Sequence, residues 1–259
     1  SDPYVYSVYW NGTEKIQSAW GKWSFAGTIL DFDVLSGELH LVIERGSDVM
    51  LQKISLSDTN TDAGFNLALD QKVSVVGVYD GGTDRTTWTL PYAHNDSLVA
   101  VLSSAFSTPG RALSLTYEAG TDVSFAGDWS SHGVVFGFPY DSEGTLSRLY
   151  ARQRDKAADL HGRVQATRMT LFYEDSGYFE VHVNLRGRGT KVHTYTGRNV
   201  GLLNNLIGSL SLADGDFNFP IKSRTDRIDS ITVKNSTFLP FTITSAIWLG
   251  FQNTIARQG

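Results

Sequence analysis

Apolar and polar residues alternate with a period of two along most of this chain, and a sustained 3.6-residue rhythm is almost absent. Leu30, Phe32 and Val34 share one face of a predicted strand over 29–35, and Leu39, Leu41 and Ile43 share a face of a second over 39–44. Ser36-Gly37 turns the chain between them, and Arg45-Gly46-Ser47-Asp48 leads into a third strand at 49–56. Tight turns between alternating strands predict an antiparallel meander with the size of one propeller blade. Residues 57–72 read as a polar loop or a short helical turn. Strands resume at Val73–Tyr79, followed by 85–90, 98–103, 112–118, 121–126 and 133–138, a spacing typical of sandwiches and barrels. The stretch 142–161 is the least strand-like, and Lys156–Leu160 reads as a single helical turn.

From Gly162 onward the alternation is strong. Phe179, Val181, Val183 and Leu185 face one way, with Glu180, His182 and Asn184 on the other. In the last strand Phe241, Ile243, Ile247, Leu249 and Phe251 are set against Thr242, Thr244 and Trp248. Pro220 and Pro240 are placed at strand starts, where a missing N–H is tolerated. The expected fold class is all-β: a propeller-blade-type antiparallel meander over 1–72, a β-sandwich-like domain over 73–161, and a C-terminal antiparallel β domain over 162–259, with sandwich or barrel closure left open.

The 259 residues can bury a large core, and 41% hydrophobic with 19% charged residues is globular rather than disordered. The absence of Cys excludes a disulfide scaffold, a thiolate zinc site and a thiol nucleophile, without fixing the redox environment. No apolar run approaches the roughly 18 residues that span a bilayer, so no membrane insertion is expected. The chain starts almost directly on the strand-like Tyr4-Val5-Tyr6 and reads as a piece of something longer. Net charge is −5 but unevenly spread: −11 over 1–147, +5 over 148–198 and +1 over 199–259. An acidic body opposes tight binding of a polyanion, whereas the basic segment is a candidate contact patch.

Several residue groups have the composition of reactive or binding sites. Asp31 and Asp33, two apart on a strand, project from one face with carboxylates about 6–7 Å apart, within the range used by sugar-cleaving pairs. Any Asp-x-Asp on a half-exposed strand gives the same geometry, and a solvated outer face is the preferred reading. If Arg186–Gly189 is a four-residue hairpin loop, His182 lies opposite His193 with Glu180 on the same face, a set able to hold zinc with an open position. A solvent-facing hairpin accounts for the same three residues. Gly127-Asp128-Trp129-Ser130 followed by His132 contains the residue types of a nucleophilic triad, but Gly-x-Ser-x-Gly is absent. Gly187 and Gly189 precede no helix and fit a turn better than a phosphate loop. The basic segment (Arg148, Arg152, Arg154, Lys156, Arg163, Arg168, Arg186, Arg188, Lys191 and Arg198) interleaves with Tyr150, Phe172 and Tyr173. It reads as a nucleic-acid patch, a solvated face or an interface to an acidic neighbour. The expectation is no catalytic centre, no cofactor and no metal.

One ordered series of segments resembles a known family. It runs from Ile16-Gln17-Ser18-Ala19-Trp20-Gly21-Lys22-Trp23-Ser24-Phe25 through Gly127-Asp128-Trp129, Gly137-Phe138-Pro139-Tyr140 and Gly162-Arg163-Val164-Gln165. Tyr173-Glu174-Asp175-Ser176-Gly177-Tyr178 and Gly215-Asp216-Phe217-Asn218-Phe219-Pro220-Ile221 follow. Asn235-Ser236-Thr237-Phe238-Leu239-Pro240 and Ser245-Ala246-Ile247-Trp248-Leu249-Gly250 complete it. The series is similar to the C-terminal portion of the tail tubular protein B, or tail nozzle, family of short-tailed bacteriophages. The resemblance implies a structural virion protein in a six-fold ring below an adaptor protein, with propeller-containing subunits, a central channel passing double-stranded DNA, and a docking surface for tail fibres. It carries no catalytic motif to transfer. A carbohydrate-binding or depolymerising tail component, and a docking module that never meets DNA, are the alternatives.

Overall fold

Short polar turns between β-favouring runs leave nowhere for a helix to grow. In a computed structural model, which describes residues 2–55, 63–118, 120–152, 158–159, 163–197 and 210–253, the described residues form antiparallel strands and a single 3-10 turn, Thr225–Arg227. None of their helices is long and apolar enough to cross a membrane. The chain divides into two compact units, Ser1–Asn60 and Thr61–Gly259.

In the first unit, β1 (Tyr4–Asn11) and β2 (Glu14–Lys22) form a hairpin, while β3 (Thr28–Leu35), β4 (Glu38–Arg45) and β5 (Asp48–Ser55) form the expected meander. Ser36 and Gly37 take φ of 53° and 80°, the paired left-handed geometry that closes a two-residue hairpin. Leu41 and Ile43 of the central strand are buried, but on the edge strand Phe32, opposite Leu41, and Val34, opposite Leu39, are exposed.

The second unit contains two sandwiches. The first is built from β6 (Leu69–Val75), β7 (Val78–Asp80), β8 (Arg85–Thr89), β9 (Val99–Leu102), β10 (Ala112–Leu113), β11 (Thr116–Tyr117), β12 (Asp122–Ala126) and β13 (Val134–Pro139). Its sheets, ordered β10-β9-β13-β6 and β11-β12-β8-β7, enclose Trp88, Val123, Leu102, Val134 and Phe136. The segments expected as single strands at 73–79 and 112–118 each split, because the chain crosses from one sheet to the other within them. Gly77 makes the first crossing possible: a Cβ there would lie 2.4 Å from Thr86 and 2.6 Å from the Trp88 ring nitrogen. Residue 72, an expected domain boundary, lies inside β6.

The second sandwich follows, from β14 (Ser142–Thr145), the short pair β15 (Ala151–Arg152) and β16 (Ala158–Asp159), then β17 (Arg163–Ser176), β18 (Phe179–Leu185), β19 (Lys191–Tyr195), β20 (Ala213–Arg224), β21 (Ile228–Asn235) and β22 (Thr242–Asn253). Ala158 and Asp159 are thus paired strand; the rest of the helical turn expected at Lys156–Leu160 falls outside the described residues. Sheets β14-β21-β18-β19 and β20-β17-β22 close over Met169, Leu171, Phe179, Val181, Val183, Phe219, Ile221, Ile231 and Val233. Each such side chain removed from water contributes about 1.5–3 kcal/mol. Phe238 packs beside Ala63, Leu67, Val101 and Val135, on the outer face of the β9-β13 sheet. Ala68 N–H donates to the Phe238 carbonyl at 2.9 Å, so a loop of the second sandwich is anchored on the first. Both folded layers are open sandwiches and neither closes as a barrel.

Two expectations are corrected. Pro220 lies within β20 rather than at a strand start, tolerated because β20 is an edge strand and the ladder is bulged there. In β22 a register shift at Thr244 inverts the alternation, so that Phe241, Ile243 and Trp248 pack on the core while Ile247, Leu249 and Phe251 are exposed.

Candidate functional site

The hairpin β18–β19 was the metal candidate, and its register decides the matter. Val181 pairs with His193 and His182 with Val192, one residue away from the assumed alignment, because the turn is centred on Gly187, with the Arg188 N–H donating to the Leu185 carbonyl at 3.0 Å, one residue tighter than a four-residue loop. A one-residue slip moves a side chain to the opposite face. His193 therefore shares the core-facing side with Val181, its ring centroid 5.4 Å from that of Phe219. Its Nε2 is buried without a hydrogen-bond partner. Burial, with Lys191 adding repulsion, pushes its pKa below the ordinary histidine value, and the Pro220 carbonyl only partly offsets this. His182 stays on the outer face, Nε2 2.8 Å from Glu180 Oε2. Tyr178 Oη donates to the other Glu180 oxygen at 2.5 Å, and these two contacts, the tyrosine first, hold the Glu180 carboxyl below its usual range. Glu180, His182 and His193 are thus divided between two faces, and no group of three or more metal-ligating side chains occurs among the described residues.

Glu180 and His182 belong instead to a polar groove of about 150 Å³ that also takes in Tyr178, Glu143 and Lys234. Lys234 Nζ lies 2.8 Å from Glu143 Oε2. Sequence spacing carries no sign of that ion pair, since only the pairing of β14 with β21 brings the two residues together. A second cavity, about 160 Å³, lies beside Gly110, Gly177, Leu210 and Phe238. Both are smaller than the roughly 300–1,000 Å³ of small-molecule sites.

The other candidates are engaged locally. Asp31 and Asp33 are exposed, and each accepts the N–H of the residue after it at 2.8 Å. Asp128 accepts both the N–H and the hydroxyl of Ser130, which holds its pKa down, while His132 stands edge-on to Phe106 at 5.4 Å. The Ser130 hydroxyl is therefore directed at a turn carboxylate, not at the histidine. Gly187 takes φ of 71° in the β18–β19 loop, as a turn requires.

The basic segment is dispersed. Arg186 pairs with Asp229 on β21, and Arg168 projects from the outer face of β17 opposite Leu249. Arg154, Lys156 and Arg198 fall outside the described residues.

Exposed aromatics form the feature that sequence patterning missed. Tyr4, Tyr6, Trp10 and Trp20 stand exposed on the β1–β2 hairpin, the Tyr6 and Trp20 rings 4.8 Å apart and Lys15 Nζ 2.7 Å from Tyr6 Oη. Their alternation looks like that of core residues, yet the pairing places them on a two-stranded ribbon where, among the described residues, they stay exposed.

Comparison with known proteins supplies what these surfaces lack. The family described as bacteriophage nozzle protein matches residues 1–257. The tail tubular protein gp12 of Escherichia phage T7 is 20% identical over 264 residues, covering 95% of this chain and 33% of that protein. The chain thus spans about a third of the length of this curated relative. It belongs to the bacteriophage nozzle protein family and is a structural component of the virion tail.

Proposed function

We propose that this chain forms part of the wall of the tail conduit through which DNA is ejected, as one subunit of a six-fold ring that contacts an adaptor protein and offers a docking surface to tail fibres. Its role is structural, without catalysis, cofactor or metal. The reading draws on family membership and on the printed name of the T7 relative, a tail tubular protein. Two sandwiches with closed aliphatic and aromatic cores supply stiffness. The observation that carries the reading is the −11 charge of residues 1–147. A conduit must pass a polyanion without retaining it, and an acidic surface repels phosphates where a basic one would trap them. Fluorescence anisotropy with labelled duplex DNA at about 0.15 M salt tests this, the ionic strength at which charges are screened over roughly 8 Å. No saturable binding is expected; a submicromolar Kd would contradict the proposal.

The exposed hairpin aromatics favour a second reading, a carbohydrate-binding tail component, since planar rings stack on sugar faces. Titration with host-surface polysaccharide decides it: quenching of tryptophan fluorescence that disappears in Trp20→Ala supports sugar binding, and an unchanged spectrum removes it.

A further inference from the structure

Within the second unit, charge is segregated along the chain: residues 61–147 carry −7 and residues 148–259 carry +6. The first sandwich is therefore acidic and the second basic, a head-to-tail polarity within one compact unit. Among the described residues, each half also ends in an edge strand that carries exposed apolar side chains. On the basic half this is β22, twelve residues long and an edge strand, with Ile247, Leu249 and Phe251 exposed by 53%, 50% and 69% beside Arg168. On the acidic half it is β7, also an edge strand, where Val78 is exposed by 75% near Asp80 and Asp84, and Val76 just before it by 61%. A long free edge with an apolar stripe is a template for pairing with another chain unless something covers it. The stretch from Ile247 to Phe251 contains no charge and no proline that would blunt it.

We propose that the apolar stripe of β22 from Ile247 to Phe251 docks a second copy of this chain, which presents the β7 edge of its acidic first sandwich. The match is apolar to apolar at the centre and basic to acidic at the rim, the arrangement that steers encounter and fixes orientation. Because the two surfaces differ, the contact is heterologous and generates a ring or an open filament rather than a closed dimer. The inference deepens the ring reading above and rests on it.

The natural absence of cysteine makes the test free of background. Val78→Cys and Leu249→Cys proteins, one carrying a size tag, are mixed and treated with a short bis-maleimide, and the products are separated on a denaturing gel. A mixed dimer in excess of either homodimer is expected. It should fall at least about threefold when Phe251→Glu is added to the Leu249→Cys protein, and again when salt is raised to about 0.5 M, where the rim charges are screened. All three changed side chains are exposed; circular dichroism confirms that the sheets are retained. A Leu249→Cys homodimer as abundant as the mixed product would show β22 pairing with itself and overturn the proposal, as would the absence of any mixed dimer. The ring reading fails separately: a tail reconstruction with this chain outside the tube wall removes the ring, whereas the crosslink reports the docking surface itself.

Discussion

Gly197, Asn235 and His193 each hold a position for which a single substitution has a defined consequence. Gly197 has φ of 64°, and a Cβ there would lie 2.6 Å from the Gly177 carbonyl oxygen and 2.8 Å from that of Ser211. Gly197→Ala is expected to lose about 2 kcal/mol or more, from the left-handed backbone together with the clash. Urea denaturation measures it. Asn235 is 2% exposed; its side-chain carbonyl accepts from the N–H and the hydroxyl of Thr237, both at 2.8 Å, and its amide donates to the Leu239 carbonyl. It shapes the loop that carries Phe238 to the first sandwich, so Asn235→Ala should cost about 1–3 kcal/mol by leaving those groups unpaired. His193 has a folded pKa below its unfolded value, so the unfolded chain takes up protons first as pH falls. Its neutral burial therefore stabilises the fold above the ordinary histidine range, and that stability drains away as pH drops through it. His193→Phe should flatten the stability profile between about pH 7 and pH 5. Parallel profiles for the two proteins would contradict the burial account. Glu180 has a depressed pKa and acts lower, its contribution vanishing as pH falls below the usual carboxylate range.

The strands show where sequence patterning succeeds and where it stops. In β18 strict alternation identified Phe179, Val181, Val183 and Leu185 as core, and all four are at most 4% exposed. Phe179→Ala is expected to destabilise by about 3–5 kcal/mol, since its ring meets Tyr173, Tyr195, Phe217 and Phe241 and the layers cannot collapse into the gap. Period two survives only while the ladder is regular. A β18–β19 turn one residue tighter than the four-residue loop turned His193 inward, and one bulge at Thr244 turned Trp248 inward and Leu249 outward. Neither event leaves a local mark: Thr244 is an ordinary strand residue, and the loop glycines are compatible with either length. The crossing at Gly77 is marked in sequence only by a glycine inside an apolar run, and its reason, the Trp88 ring behind it, lies in another strand. The all-β class was legible because it depends on period alone; candidate sites were not, because they depend on register.

For the molecule as a whole, the uneven charge agrees with the proposed conduit role. The strands of the second unit fill two sandwich cores, and Asp128 and the Lys234–Glu143 pair are engaged in a turn and an ion pair of their own. An acidic N-terminal stretch, a more basic C-terminal one and, among the described residues, two edge strands with exposed apolar side chains are what the proposed contacts with copies of this chain and with DNA would draw on. The most direct test is a cryo-electron-microscopy reconstruction of the intact tail, resolved well enough to trace side chains. The account predicts this chain in the tube wall, with aspartates and glutamates of residues 1–147 lining the lumen. A lumen lined mainly by arginine and lysine, or a chain lying outside the wall, would contradict it.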